Sequence, residues 1–254
     1  MGFSEHSRTG TWMEFLRERA LFPLLNLEIR TLLRSRLLMG WIAAAMLVGF
    51  VIFMNTDGSP AGGLESLAQG LSVSFVLFWS LFVIALSAAS VSAELGGVAD
   101  SILSKAVKRY EYIASKILSR VGVTLLVFGA VSAVWITVAV RAFAWEGSSV
   151  DLTTGLLLVA LSLAWLAALG VFMSVLVPRT MVSFVSTLAV WFGYPLLLSF
   201  VGLGEYSPTY PANNLAAIIE GTATTDLALI ATLHIATVFA LVALSFVVFY
   251  RRDL

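Results

Sequence analysis

Residues 152–177 contain not one ionisable side chain. A bilayer core of about 30 Å selects for such a run, because an α-helix needs about 20 apolar residues to cross it. A core helix in a water-soluble protein would keep a polar face. Five further segments read the same way, so six spans are expected at 37–54, 69–92, 117–140, 152–177, 181–203 and 227–250. Composition agrees. The 254 residues are 59% hydrophobic and 12% charged, with a mean hydropathy of +0.96, whereas a soluble domain carries about 25% charged residues. A cleaved leader is not expected, since the first long apolar run, from Leu37, follows a charged stretch.

Lysine and arginine set the orientation. Arg8, Arg17, Arg19, Arg30, Arg34 and Arg36 precede the first span; Lys105, Lys108, Arg109, Lys116 and Arg120 lie around the second connection; Arg179, Arg251 and Arg252 complete one side. That side holds 14 of the 15 basic residues, Arg141 being the exception. The opposite connections carry Asp57, Glu65, Glu146, Asp151, Glu205, Glu220 and Asp226. The positive-inside rule then predicts that both termini are cytoplasmic. The expected fold is all-α: a polytopic membrane protein with six transmembrane helices and an N-terminal interfacial helix, in the cell (inner or cytoplasmic) membrane.

Two regions follow. Residues 1–36 form a cytoplasmic tail with an amphipathic helix, and residues 37–254 form the six-helix domain. Within 11–36, Trp12, Phe15, Leu16, Phe22, Leu25 and Leu32 alternate with Arg17, Arg19, Glu28, Arg30 and Arg34, a pattern suited to a helix lying in the membrane interface. Pro23 is expected to break it, with a helix restarting at Leu24. A plain cytoplasmic tail is the alternative. Between the first two spans, residues 55–68 contain Gly58, Ser59, Pro60, Gly62 and Gly63 and read as a flexible connection. The extracytoplasmic loop 204–225, with Pro208 and Pro211, is expected to form either a short helix at or in the outer leaflet or a surface turn-helix-turn.

Much chemistry is missing. No G-x-x-x-x-G-K-[ST] occurs, so no phosphate loop is expected, and neither H-E-x-x-H nor G-x-S-x-G is present. There is no cysteine, and the two histidines, His6 and His234, are too few for a histidine metal cluster. No catalytic, cofactor or metal site is expected, and no nucleic-acid partner. Span centres lack charges apart from His234, which reads as hydrogen-bonded packing more readily than as a proton relay. Small residues at Ala160, Ala164 and Ala168 suit close helix approach. Trp41, Trp145 and Tyr250 read as interfacial belt residues, and Trp79, Trp135, Trp165 and Trp191 sit deeper, as packing or as the lining of an apolar cavity.

The cytoplasmic loop 93–120 is the longest charged and amphipathic stretch between spans. On its own it reads equally as a docking segment or as an interfacial helix on lipid headgroups. Its run from Glu94 to Tyr112, ELGGVADSILSKAVKRYEY, followed by Lys116, resembles the signature of ABC-2 type ABC transporter permeases. In that family an acidic residue and a glycine close the second span. An apolar helix follows, then a Ser-[Lys/Arg]-Pro-[Val/Ile] segment with an arginine and an aromatic residue, and a lysine enters the third span. Glu94, Gly96 or Gly97, Leu103, Ser104, Lys105, Val107, Arg109, Tyr112 and Lys116 match. Ala106 stands where proline is common, and Val98 or Ala99 where threonine often follows the glycine.

The resemblance implies a permease subunit that is not itself an enzyme, working as a homodimer or beside a second permease. Two copies of a separate ABC ATPase would bind ATP and Mg; no cofactor would sit on this chain. Glu94 to about Lys105 would be the coupling helix, with Glu94, Gly96, Gly97, Asp100, Leu103, Ser104, Lys105, Lys108 and Arg109 as the ATPase-coupling residues. Lys105, Lys108 and Arg109 would pair with acidic ATPase residues or with anionic membrane lipids. A periplasmic or extracellular accessory protein is a further expected partner. The alternative function is a membrane component of a maturation complex, for example for nitrous-oxide reductase, in which the ATPase drives change in a partner protein.

Overall fold

A computed structural model describes residues 21–56, 59–74, 78–94, 108–143 and 148–251. All regular structure among them is helical. Five helices are long and apolar enough to cross a membrane, and the chain is a polytopic helical membrane protein. Its surface carries the evidence: Leu47, Phe50, Met54, Met181, Phe200 and Phe239 are each more than half exposed. Apolar faces of this extent call for lipid or another protein rather than water.

Helix α1 (Leu21–Leu33) holds Pro23 in its first turn, where a missing N–H costs nothing. Pro23 therefore sits inside the start of this helix rather than breaking it before Leu24. Its orientation is telling. Phe22 and Leu27 point outward, while Leu32 is buried and Glu28 reaches into the bundle. Ser35 then accepts from the Leu38 amide at 3.1 Å and caps α2 (Arg36–Met54). Leu38, Trp41, Ala45 and Gly49 form the inward face of α2.

The connection expected to be flexible is already helical from Pro60. In α3 (Pro60–Ser74) Pro60 opens the helix and Ser59 Oγ accepts from the Gly62 amide at 2.9 Å, an N-terminal signature that outweighs the glycines. Leu67, Ala68 and Leu71 are buried. Among its described residues the second expected span, 69–92, is not uniform α-helix: it includes the end of α3, a π-type turn at Phe78 and Trp79, and α4 (Ser80–Ala88). Residues 75–77 lie outside the description.

The other expected spans agree closely with α5 (Arg109–Phe143), α6 (Ser149–Leu176), α7 (Thr180–Phe200) and α10 (Leu227–Arg251). Helix α5 has 35 residues, about 52 Å at 1.5 Å per residue, so it outreaches a hydrocarbon core of about 30 Å by about three-quarters. Its excess lies at the charged start, ahead of the expected boundary at Ile117. Helix α6 is the axle of the bundle, buried on all sides over much of its length and packed by α4, α5, α7 and α10. Between α7 and α10, a 3-10 turn (Gly204–Tyr206), α8 (Tyr210–Asn213) and α9 (Leu215–Ile219) bury Ala212, Leu215, Ile218 and Ile219. The loop 204–225 therefore holds short helices, as both readings of it expected, and they pack as a cap on the bundle.

Two glycines permit close helix approach. A Cβ at Gly49 would overlap the Trp135 ring, and one at Gly170 would overlap the Ser87 side chain. Trp79, Trp135, Trp165 and Trp191 are buried as expected for packing. Trp41 is not a belt residue: it is 5% exposed and stacks on Phe82 at 4.1 Å while meeting Trp79 edge-on at 4.0 Å. Its place on the inward face of α2, in line with Leu38 and Ala45, decides this. Tyr250 is exposed, and Trp145 lies outside the described residues.

Candidate functional site: a buried ionic junction

Tyr112, Lys116 and Arg120 follow one another at four-residue spacing, so they share one face of α5. The helix begins by capping itself, the buried Glu111 accepting from the Lys108 amide at 3.4 Å. The three side chains then point at two carboxylates from elsewhere. Lys116 Nζ lies 2.6 Å from Glu28 Oε1 of α1 and also donates to Glu94 Oε1, at the end of the turn after α4. Tyr112 donates its hydroxyl to the other oxygen, Glu94 Oε2, at 2.6 Å. Arg120 Nη1 is 3.2 Å from Glu28 Oε2, an ionic contact without an aligned hydrogen bond, since Nε and Nη1 find no hydrogen-bond partner.

Two acids and two bases balance, and burial makes the balance necessary. Lys116 is 1% exposed and Arg120 8%. Removing such charges from water costs several kcal/mol each, recovered only through well-placed counter-charges and hydrogen bonds. Lys116 adds a cation–π contact, 5.2 Å above the Tyr112 ring. On its other side Tyr112 stacks with Phe249 near the end of α10, centroids 5.7 Å apart. The junction thereby joins α1, the end of α4, the start of α5 and the end of α10.

Glu94 reaches this position because the turn before it is pinned. Ser174 of α6 is fully buried, and its Oγ accepts from the Val91 and Ser92 amides, each at 2.9 Å. Buried backbone amides of a turn need an acceptor, and Ser174 supplies it. Ser92 Oγ donates to the Ala88 carbonyl and lies 3.1 Å from Thr180 Oγ1 at the start of α7.

Of the expected coupling residues, Glu94 is in the junction, and Lys108 and Arg109 are exposed beside it. Lys108 lies 5.8 Å from the Tyr110 ring centroid, and Arg109 Nη1 donates to the Tyr250 carbonyl at 3.4 Å. Arg109 and Arg251 flank an apolar groove of about 520 Å³ floored by Phe246 and Phe249. Gly96, Gly97, Asp100, Leu103, Ser104 and Lys105 lie outside the described residues, as does most of the expected coupling helix. The sequence reading missed Glu28, Arg120 and Ser174 as parts of one site. Among the described residues no group of histidine and acidic side chains could hold a metal. No family model matches the chain, and no curated protein matches it.

Proposed function

We propose that this chain is the transmembrane permease subunit of an ATP-driven ABC-2 type exporter in the cell membrane, moved by a separate ATPase at its lysine- and arginine-rich end. One observation carries the reading: Glu94, Tyr112 and Lys116, three residues of the motif that resembles the family's, meet in one buried cluster. The segment between them is thereby tethered at both ends to the same ionic junction. A push on that segment would reach α1 and α5 through short charged contacts and α10 through the Tyr112–Phe249 stack, which suits a part that receives motion from another protein.

Six crossings with both termini cytoplasmic are supported by where contacts fall. Helix α2 leaves the junction just after α1, and Glu94 returns to it after α3 and α4. Helix α5 leaves from Arg109, while α6 comes back to hold Val91 and Ser92 through Ser174. Helix α10 ends with Phe249 against Tyr112. Neither α3 nor α4 alone spans about 30 Å, so in this reading the two cross in series.

The test is co-expression with ABC-type ATPases of the source organism, one at a time, followed by purification through a tag on the permease. A stable complex whose ATP hydrolysis differs from that of the ATPase alone is expected, and Lys105→Glu with Arg109→Glu should weaken it. Absence of any complex, with the permease folded and inserted, would rule the reading out. Glu94→Ala is a poorer probe, because Glu94 also neutralises Lys116.

A further inference from the structure

Arg251 closes α10, and Arg109 opens α5. Arg109 Nη1 donates to the Tyr250 carbonyl at 3.4 Å, which holds its guanidinium over the residue that precedes Arg251. Both arginines border the groove of about 520 Å³ between the two helices. Lys108 brings a third cation to the rim, its ammonium 5.8 Å from the centre of the Tyr110 ring, which lines the groove. All three basic residues are exposed, and Arg251 makes no ion pair among the described residues. No carboxylate lines the groove. Glu111, the acid in the first turn of α5, is buried and accepts from the Lys108 amide, while Glu28 and Glu94 are taken up by Lys116 and Arg120 in the junction. Arg252 and Asp253 lie outside the described residues.

The floor has the opposite character. Phe249 is fixed by its stack on Tyr112, Phe246 is partly buried, and Val247 forms an exposed wall. Helix α10 has 25 residues, about 37 Å of helix, and outreaches a hydrocarbon core of about 30 Å by about 7 Å shared between its ends. Arg251 therefore stands at the level of the headgroups. Phe246, about 7 Å further along the helix axis, stands at the edge of the hydrocarbon. The exposed rings of Tyr110 and Tyr250 suit the same boundary. A free phosphate would use the charges and leave the floor bare. A water-soluble protein would meet the charges but would not reach a floor inside the bilayer. A molecule with a negative head and an apolar chain uses both.

We propose that this groove seats one anionic phospholipid, with its phosphate at Arg109 and Arg251 and the first part of an acyl chain on Phe246 and Phe249. A guanidinium pairs with phosphate oxygens through two parallel hydrogen bonds, and basic side chains at a membrane surface favour anionic over neutral lipids. The site needs only that the basic end of α10 lies at a bilayer surface, so it does not rest on the permease reading.

The experiment is native mass spectrometry of the full chain, released from detergent micelles after titration with phosphatidylglycerol. Phosphatidylcholine with the same acyl chains carries the phosphate but no net charge. One phosphatidylglycerol per chain should bind about tenfold more tightly than phosphatidylcholine. Arg251→Gln removes one exposed charge and should lower that affinity about fivefold. Arg34→Gln removes an exposed charge that does not line the groove, and should leave it unchanged. Val247→Trp fills the groove without touching a charge and should weaken both lipids. Glycerol phosphate, a headgroup without a chain, should not displace the lipid. Comparable affinity for the two lipids, an equal loss in Arg34→Gln, no effect of Val247→Trp, or displacement by glycerol phosphate would overturn the proposal. So would unchanged lipid affinity in Arg251→Gln together with a weakened ATPase complex, a result that gives the groove to the ATPase and leaves the permease reading standing.

Discussion

Lys116 faces two carboxylates from a position with almost no solvent contact, and this makes it the residue whose loss the junction tolerates least. Replacing it with methionine preserves the stem but leaves Glu28 and Glu94 competing for Arg120 alone. Breaking a buried pair from one side costs about 3–5 kcal/mol. Arg120→Met should cost less, because its guanidinium makes one ionic contact with Glu28 and leaves two buried nitrogens without aligned acceptors. The coupling is testable by a cycle. Glu28→Gln in the Lys116→Met background should restore part of the lost thermal stability in detergent, whereas the two changes made independently would each lower it. Additive losses would mean that the two side chains do not sense one another.

At the level of helices, α4 and α6 approach closely where Gly170 faces Ser87. Gly170→Ala drives a methyl group into that side chain and should lower the stability of the inserted protein by about 1–3 kcal/mol. Ser87→Gly in the same chain should recover most of the loss, and Gly129→Ala, with open space around it, should leave melting unchanged or raise it slightly. Equal effects at Gly170 and Gly129 would argue against the close contact. The sequence pattern located five of the spanning helices to within a few residues, except at the start of α5, because bilayer thickness constrains length so strongly. What it missed has local causes. Glycine content masked the Ser59–Pro60 helix start. Trp41 lay near a span end and looked interfacial, although its spacing from Leu38 and Ala45 marked the inward face. Lys116, just ahead of the third span expected from Ile117, and Arg120, inside its first turn, count as charges of the second connection in the sequence; their four-residue spacing with Tyr112 is the signal that places them on one helix face. Glu28 lies 88 residues from Lys116 in sequence, and nothing local to either residue encodes that pairing.

For the whole molecule, the passage of the second apolar segment matters most, since the number of crossings fixes which face each connection occupies. On the proposed topology the ionic junction and both termini share the cytoplasmic face, while the cap over α6 and α7 faces outward. The chain has no cysteine, so single cysteines can report sidedness without a background. Lys108→Cys and Asp226→Cys probe exposed connections at opposite ends of the bundle. In intact cells a membrane-impermeant maleimide should label the cysteine at 226 and spare the one at 108 until the membrane is permeabilised. Arg34→Cys, in the turn between α1 and α2, should behave like the cysteine at 108 if α3 and α4 together complete a crossing. Labelling at 34 and 108 from opposite faces would mean that the second apolar segment does not cross, and the junction could not then join the two connections on one side. Labelling of all three with the reverse polarity would keep the bundle but invert it, placing the basic end outside against the charge rule.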